Sequence, residues 1–560
     1  MDKQQVAAAL RETGLLLKAK GENSFKAKAY LSAAKTVQRS QEDLAALIAE
    51  NRLTELPGIG ESIEKYITEL CSTGEARYLS RLRQELPKGA AELSLIRGLT
   101  LKRIQTLNEK LDISNIQQLE QACKEGKLAN LKGFGLKVQN DILQALSGSR
   151  EEIDQIRLVR AFELVDEIVE TLSLALKTEK IEVVGAVRRW HETVDRITII
   201  VESDIKRTAA ALKKVRGIVS IEETGALLLA HLVDGIPLEV YPVANLAFGL
   251  LKHTGNKAHF EQLQQHAAAR NLELDEANFS SAKNEKQIFK AIGLHFIPPE
   301  IREGRGEVAA SKTSDFSTLV EYKDIRGMTH CHSTYSDGNN TIEQMALAAQ
   351  RMGMEYITIT DHSPTAHYAG GLSIDRLKEQ WEEIDQVQQK VKIKLLKGTE
   401  CDILADSKLD YPDHILEQFD IIIASIHSRY RQDEEAMTRR LLNGLKNPHF
   451  KIWGHPLGRI TLHRDPIPCD VVKILEAIAD AKVAIEINGD PYRMDLAPNW
   501  AAIAKDLGLK FIISTDAHSR TDYRSLQYGI HMARRALIKK EQVLNTFGYE
   551  QFCFSVKAAA

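Results

Sequence analysis

The sequence predicts a multidomain protein of mixed α+β and α/β class: a helical front, a small mixed sheet, and a seven-stranded α/β barrel at the C-terminal end. Three observations carry that expectation. At 560 residues the chain is too long for one hydrophobic core. Its first 150 residues show helical periodicity with little strand-like alternation. From about residue 324, seven short apolar runs alternate with amphipathic stretches, the pattern of a parallel sheet with crossover helices.

Composition is that of a globular protein, with 43% hydrophobic and 27% charged residues. No apolar run approaches the length of a membrane span, and the opening MDKQQVAAALRETG lacks a signal-peptide core, so a cytoplasmic protein without membrane partners is expected. The six cysteines form no CxxC pair, which argues against a disulfide framework or a thiolate zinc knot. Net charge is −3 but uneven: residues 1–150 hold 23 Lys+Arg against 18 Asp+Glu, or +5, leaving −8 for the rest. A basic front before an acidic rear suits a nucleic-acid grip ahead of a metal site.

In the helical front, VAAALRETGLLLKAK and LAALIAE carry the periodic apolar positions. LPGIGESIEKYI (56–67) has the form of a helix-hairpin-helix, and LKGFGLKVQNDIL (131–143) repeats it. Glycines at Gly58, Gly60, Gly133 and Gly135 let the hairpin backbone approach a DNA phosphate, and the next helix offers free N–H donors. Such contacts ignore base sequence. IRGLTLKRI (96–104) is a weaker third copy with Thr100 in place of the second glycine. The runs IEVVGAV, RITIIVE, GIVSIEE, ALLLAHLV and PLEVYPV, between about 180 and 245, predict the small mixed sheet. ASKTSDFST (310–318) reads as a linker.

The barrel strands are MTHCHS, YITITDH, KLLKGTECDI, DIIIASIHS, KIWGHP, VAIEING and KFIISTDAH. Six carry His, Asp or Glu at their ends; the sixth ends in Asn488. Eleven of the seventeen histidines lie at or beyond His330. His330 and His332, two apart on one strand, point to one face. Asp337, His362, Glu400, His427, His455, Asp516 and His518 complete nine candidate ligands at the rim where such barrels keep their active sites. Imidazole and carboxylate suit Mn, Zn or Fe, and nine ligands suit three divalent ions with a carboxylate such as Glu400 bridging two. Ions so held generate a nucleophile from water near neutral pH and neutralise charge on a phosphoryl group. Arg429, Arg459 and Arg493, just past strand ends, are candidates to hold the substrate phosphate.

HCHSTYSDG, TITDHS, KGTECDIL, ASIHS, GHP and STDAH resemble the motifs of the polymerase-and-histidinol-phosphatase (PHP) domain over about residues 324–560. That resemblance implies a distorted seven-stranded barrel holding three metals. His330, His332, Glu400 and Asp516 would hold the first, Glu400, His427 and His455 the second, and Asp337, His362 and His518 the third. It implies a catalytic set of His330, His332, Glu400, His427 and Asp516.

The order of elements resembles a bacterial family X DNA polymerase with a C-terminal PHP domain. GENSFKAKAYLSAA (21–34) is similar to that family's lyase-like domain and FIPPEIREGRGEV (296–308) to the end of its thumb. The implied domains are 1–80 (lyase-like, first hairpin), 81–150 (fingers-like, second hairpin), 151–310 (palm and thumb), 311–323 (linker) and 324–560 (PHP). The palm departs from the family pattern. In VVGAVRRWHETVDRITIIV (183–201), Gly185, Arg188 and Arg189 remain, but Ala186 replaces a serine. Arg196 and Thr198 occupy the positions of two metal-binding aspartates, with Glu239 at the third. Polymerase activity and a magnesium site are therefore not expected, while Arg188 and Arg189 are expected to grip a DNA backbone. The leading expectation is a DNA repair enzyme: a monomer acting on nicked, gapped or 3′-recessed DNA, as a manganese-dependent 3′-5′ exonuclease or on abasic sites or 3′-phosphates. A small-molecule phosphatase, a DNA-binding scaffold with structural metal and a live polymerase are the alternatives.

Overall fold

The computed structural model describes the chain except residues 1–2, 22–23, 40–43, 51, 57–58, 95, 97–98, 130, 132–133, 136–137, 140–141, 144–154, 179, 216–217, 233–235, 431 and 559–560. Gly58 and Gly133 therefore lie outside the described residues. The chain divides into two compact units, one formed by 1–154 with 216–221 and 230–236, the other by 155–215, 222–229 and 237–560.

The described residues of 1–150 form helices and short turns, as the periodicity predicts. Helices Lys3–Lys20, Ser24–Arg39, Glu61–Thr73, Arg77–Glu85, Leu101–Leu111 and Ile116–Lys124 enclose one core that includes Leu10, Val37, Ile67, Leu93, Ile104 and Leu119. The hairpin turn recurs three times with the same bond: Ile59 N–H to Leu56 O, Leu99 N–H to Ile96 O and Phe134 N–H to Leu131 O, each 3.1 Å. The weak third copy thus makes the same closing hydrogen bond. Thr100 caps the helix after it, its hydroxyl accepting from the Arg103 N–H. Gly60 takes the equivalent cap position before Glu61–Thr73, and a Cβ there would meet open space, as it would at Gly135.

In the second unit, strand Ile181–Val184 pairs antiparallel with Ile197–Glu202, which pairs parallel with Pro237–Val243 and sets Thr198 opposite Glu239. Helices Leu158–Leu176 and Leu246–Thr254 pack on this small sheet. A helical subdomain follows, with Leu251, Leu263, Ile288, Phe289 and Ile297 at its core. Residues 311–323 are tied down rather than loose: Ser311 and Val320 are fully buried, and the Val320 N–H bonds Ile538 O.

The expected seven parallel strands follow in chain order: Gly327–Met328, Tyr356–Ile359, Lys394–Asp402, Ile421–Ser425, Ile452–Trp453, Ala484–Asn488 and Phe511–Ser514. Their apolar runs are buried on both faces, as parallel strands under helices require. The first and fifth are shorter than their sequences suggest. A bridge between Cys331 and Ala517, with His332 N–H to Ala517 O at 2.8 Å, joins the last strand to the first and nearly closes the barrel. At the end where the strands begin, Phe552 of the final helix packs against Tyr356, Leu396, Ile421, Ile452, Ala484 and Ile512. The opposite rim is left to the histidines.

Candidate metal centre

Glu400 is the hub of that rim. It lies on the third barrel strand, almost fully buried, and its two oxygens face opposite ways. Oε1 is 2.6 Å from His455 Nε2 and 3.0 Å from His427 Nε2. Oε2 is 3.0 Å from His362 Nδ1, 3.5 Å from His330 Nε2 and 3.6 Å from His332 Nε2. Asp516 Oδ1 closes the first side, 3.2 Å from His332 Nε2 and 3.5 Å from His330 Nε2. Asp337 Oδ2 lies 3.3 Å from His518 Nε2 and 3.6 Å from His362 Nε2. All nine candidate ligands therefore meet.

Three sets have ligand atoms close enough to share an ion: His330, His332, Glu400 and Asp516; His332, Asp337, His362 and His518; and His362, Glu400 and His427. The first matches the set implied by resemblance. The second adds His332 to its set, and in the third His362 stands where His455 is expected, with His455 beside it on Glu400. A metal fits this chemistry. His330 Nε2, His362 Nδ1 and Glu400 Oε2 are buried, crowd together and have no hydrogen-bond partner, which is costly for bare polar atoms and natural for ligand atoms.

The electrostatics agree. Burial opposes charge on Glu400 and Asp516, but the surrounding histidines hold both carboxyls well below the usual range. Burial, and then His362, pushes His332 down to about 4, the neutral state a ligand needs. Burial also opposes charge on His427, yet Glu400 and Asp402 together outweigh it and push the ring up to about 10. Two ligands sit in backbone conformations unusual for non-glycine residues, His455 at φ 22° and Asp516 at φ 52°, the kind of strain that gathers at functional sites.

Three supporting carboxylates lie outside the nine candidates. Glu486 accepts from His330 Nδ1 at 2.6 Å and from the His455 backbone N–H. Asp402 lies 3.3 Å from His427 Nδ1. Asp361 accepts from the Ser333 N–H at 2.7 Å and from the Ser333, Ser336 and Gln380 side chains, fixing the loop that carries Asp337. Strand alternation was the available signal: Glu486 and Asp402 each lie two residues from a rim residue, Asn488 or Glu400, on the same face.

The three rim arginines separate. Arg493 Nε is 3.2 Å from Asp516 Oδ2, and its Nη1 is buried without a partner, so it can meet a phosphate oxygen. Arg459 instead donates to Arg493 O, Met494 O and, at 3.2 Å, Glu192 beside the small sheet. Arg429 is exposed.

The small sheet lacks a comparable centre. Arg196 Nη1 donates to Glu239 Oε1 at 2.8 Å, and the Thr198 hydroxyl to Glu239 Oε2 at 3.3 Å. Asp195 sits before the strand, against Arg196. Among the described residues no metal-holding group of three lies here. Arg188 and Arg189, expected on DNA, are turned to the protein. Arg188 Nη2 is 2.6 Å from Glu285 Oε2, while Arg189 donates to Glu303 and to Thr254 O. Both guanidiniums tie the sheet to the helical subdomain after it.

A PHP domain model matches residues 329–490, a helix-hairpin-helix domain model residues 1–76, and a DNA polymerase beta thumb model residues 249–303. The chain is 31% identical to the "DNA polymerase/3'-5' exonuclease PolX" of Bacillus subtilis (strain 168) over 560 residues, covering 97% of each. It is 31% identical over 237 residues to a probable phosphatase of Caldanaerobacter subterraneus, covering 39% of this chain and 86% of that one. A probable phosphatase of Thermoanaerobacter sp. (strain X514) is 34% identical over 231 residues, covering 39% and 89%.

Proposed function

Because the chain belongs to the family X DNA polymerases that carry a C-terminal PHP domain, we propose that it processes DNA 3′ ends by phosphoester hydrolysis in the barrel, and that its polymerase site is inactive. The observation that carries this reading is the meeting of nine candidate ligands, Glu400 at their centre, against a single guanidinium-bound Glu239 in the small sheet. The domain limits we propose are 1–80, 81–150, 151–310 and 324–560, with 311–323 as the connection.

The ions that this cluster would hold supply an activated water and charge neutralisation at phosphorus. The protein's own residues do the rest. His330, His332, Glu400 and Asp516 would hold the first ion, Glu400, His427 and His455 the second, and Asp337, His362 and His518 the third. Glu486 orients His330 by its ring nitrogen, and Asp402 holds the His427 backbone N–H and lies beside its ring. Arg493 meets the phosphate with its free Nη1, already steered by Asp516. The hairpins bring backbone N–H groups to DNA phosphates without reading sequence. In the palm, Arg196 puts a cation where metal ions would need carboxylates, so a two-metal centre does not assemble.

The test is a 3′-recessed duplex with Mn²⁺, with and without dNTPs, beside a His330→Ala variant. Shortening from the 3′ end without extension, lost in the variant, is expected. Extension would overturn the palm reading, and no reaction on DNA while a small phosphate ester is hydrolysed would favour the metabolite phosphatase.

A further inference from the structure

The loop between the second barrel strand and the next helix carries a tyrosine that neither the fold nor the ligand cluster explains. Tyr368 is 71% exposed. Exposure alone says little, since Phe554 of the final helix is 72% exposed. Place and rigidity distinguish Tyr368. Its ring centroid is 6.1 Å from that of His362 and 6.4 Å from that of His427, so it stands at the mouth of the ligand cluster.

The loop is locked at both ends. Leu372 N–H returns to His362 O at 2.8 Å, and Thr365 donates twice to Asp410. Gly371 lies so close to Ser363 that a Cβ would fall 2.0 Å from its carbonyl oxygen. Ala366 and Ala369 are buried, while His367 and Tyr368 between them are exposed. Arg376 donates to Gly370 O at 2.8 Å. An aromatic ring is thus presented to solvent from a fixed backbone, with little backbone entropy left to lose on binding.

We propose that Tyr368 is the platform on which the terminal nucleobase of an unpaired DNA 3′ end stacks. Arg493 stands on the Asp516 side of the cluster and Tyr368 on the His362–His427 side, so the terminal nucleotide is held at its phosphate and at its base. A π-face accepts every base, which suits an enzyme without sequence preference. A paired base keeps its own stacking partners, so the platform selects frayed or single-stranded ends. The proposal rests on the reading of the barrel as a DNA 3′-end hydrolase.

Two measurements on the full chain with Mn²⁺ test it. The first is fluorescence quenching of a single-stranded oligonucleotide ending in 3′ 2-aminopurine behind a phosphorothioate linkage. The second is the ratio of kcat/KM between a natural 3′-terminal nucleotide and an abasic tetrahydrofuran terminus. Quenching by the wild type and Tyr368→Phe but not Tyr368→Ala is expected. The kcat/KM ratio should fall roughly 5- to 150-fold in Tyr368→Ala, the range for one base–aromatic stack. Hydrolysis without quenching, or equal ratios in wild type and Tyr368→Ala, would overturn the platform and leave the hydrolase standing. Tyr368-dependent quenching without hydrolysis would sink the hydrolase reading and leave the platform, and neither signal would overturn both.

Discussion

At the scale of single residues, the side chains that gather at the barrel rim were legible and the carboxylates behind them were not. His, Asp or Glu recurring at the ends of apolar runs is visible without coordinates, because a parallel barrel turns every strand end toward one rim. Glu486 is not the terminal residue of its strand, which ends in Asn488, although both face inward. Glu486→Gln should weaken metal affinity about 10- to 100-fold, as loss of such a support to a ligand does. Metal titration beside a melting curve checks this, and unchanged affinity would show that the His330–Glu486 bond is incidental. The arginines divide likewise. Arg493→Ala should lower kcat/KM roughly 100-fold, the effect of losing a donor aimed at developing charge. Arg459→Ala should act mainly on stability, because its guanidinium is taken up by Glu192 and two carbonyls. Steady-state kinetics beside thermal melting separates the two, and equal losses of activity would contradict the division.

At the scale of elements, helices and barrel strands were legible from periodicity, whereas the joints between elements were not. Arg188 and Arg189 read as a DNA grip in sequence, since nothing local announces Glu285 and Glu303 about a hundred residues on. Glu192 joins the small sheet to the barrel through Arg535 and Arg459. Burial pushes its carboxyl up, but the two arginines outweigh that and hold it down to about 2. Glu300, paired with His531 and Arg534, and Glu303, paired with His191 and Arg189, are also held at about 2 against burial. A depressed folded pKa gives stability that is present above the ordinary carboxylate range and lost as pH falls through the folded value. Each of these carboxylates is worth on the order of 3 kcal/mol. The joints should therefore loosen between pH 4.5 and about 2. Trp190, stacked on His531 at 3.8 Å, reports there. Its fluorescence should change across that window, and a flat signal would contradict the assignment of stability to these pairs.

At the scale of the whole molecule, the order of the parts is legible because each has its own periodicity, and so is the presence of Arg196 and Thr198 where the family pattern has carboxylates. How Arg196 is neutralised became clear only in three dimensions, where strand pairing sets Thr198 opposite Glu239 and brings the guanidinium onto that carboxylate. The central claim is that the barrel's ligand cluster is the hydrolytic centre. The most direct measurement is a Mn²⁺ titration of chelator-treated protein, following bound metal and release of the 3′-terminal nucleotide in the same samples. The account predicts that both rise together and saturate at three ions per chain, one for each ligand set, and that His330→Ala binds fewer ions and releases no nucleotide. Hydrolysis by metal-free protein, or full activity in His330→Ala, would contradict it.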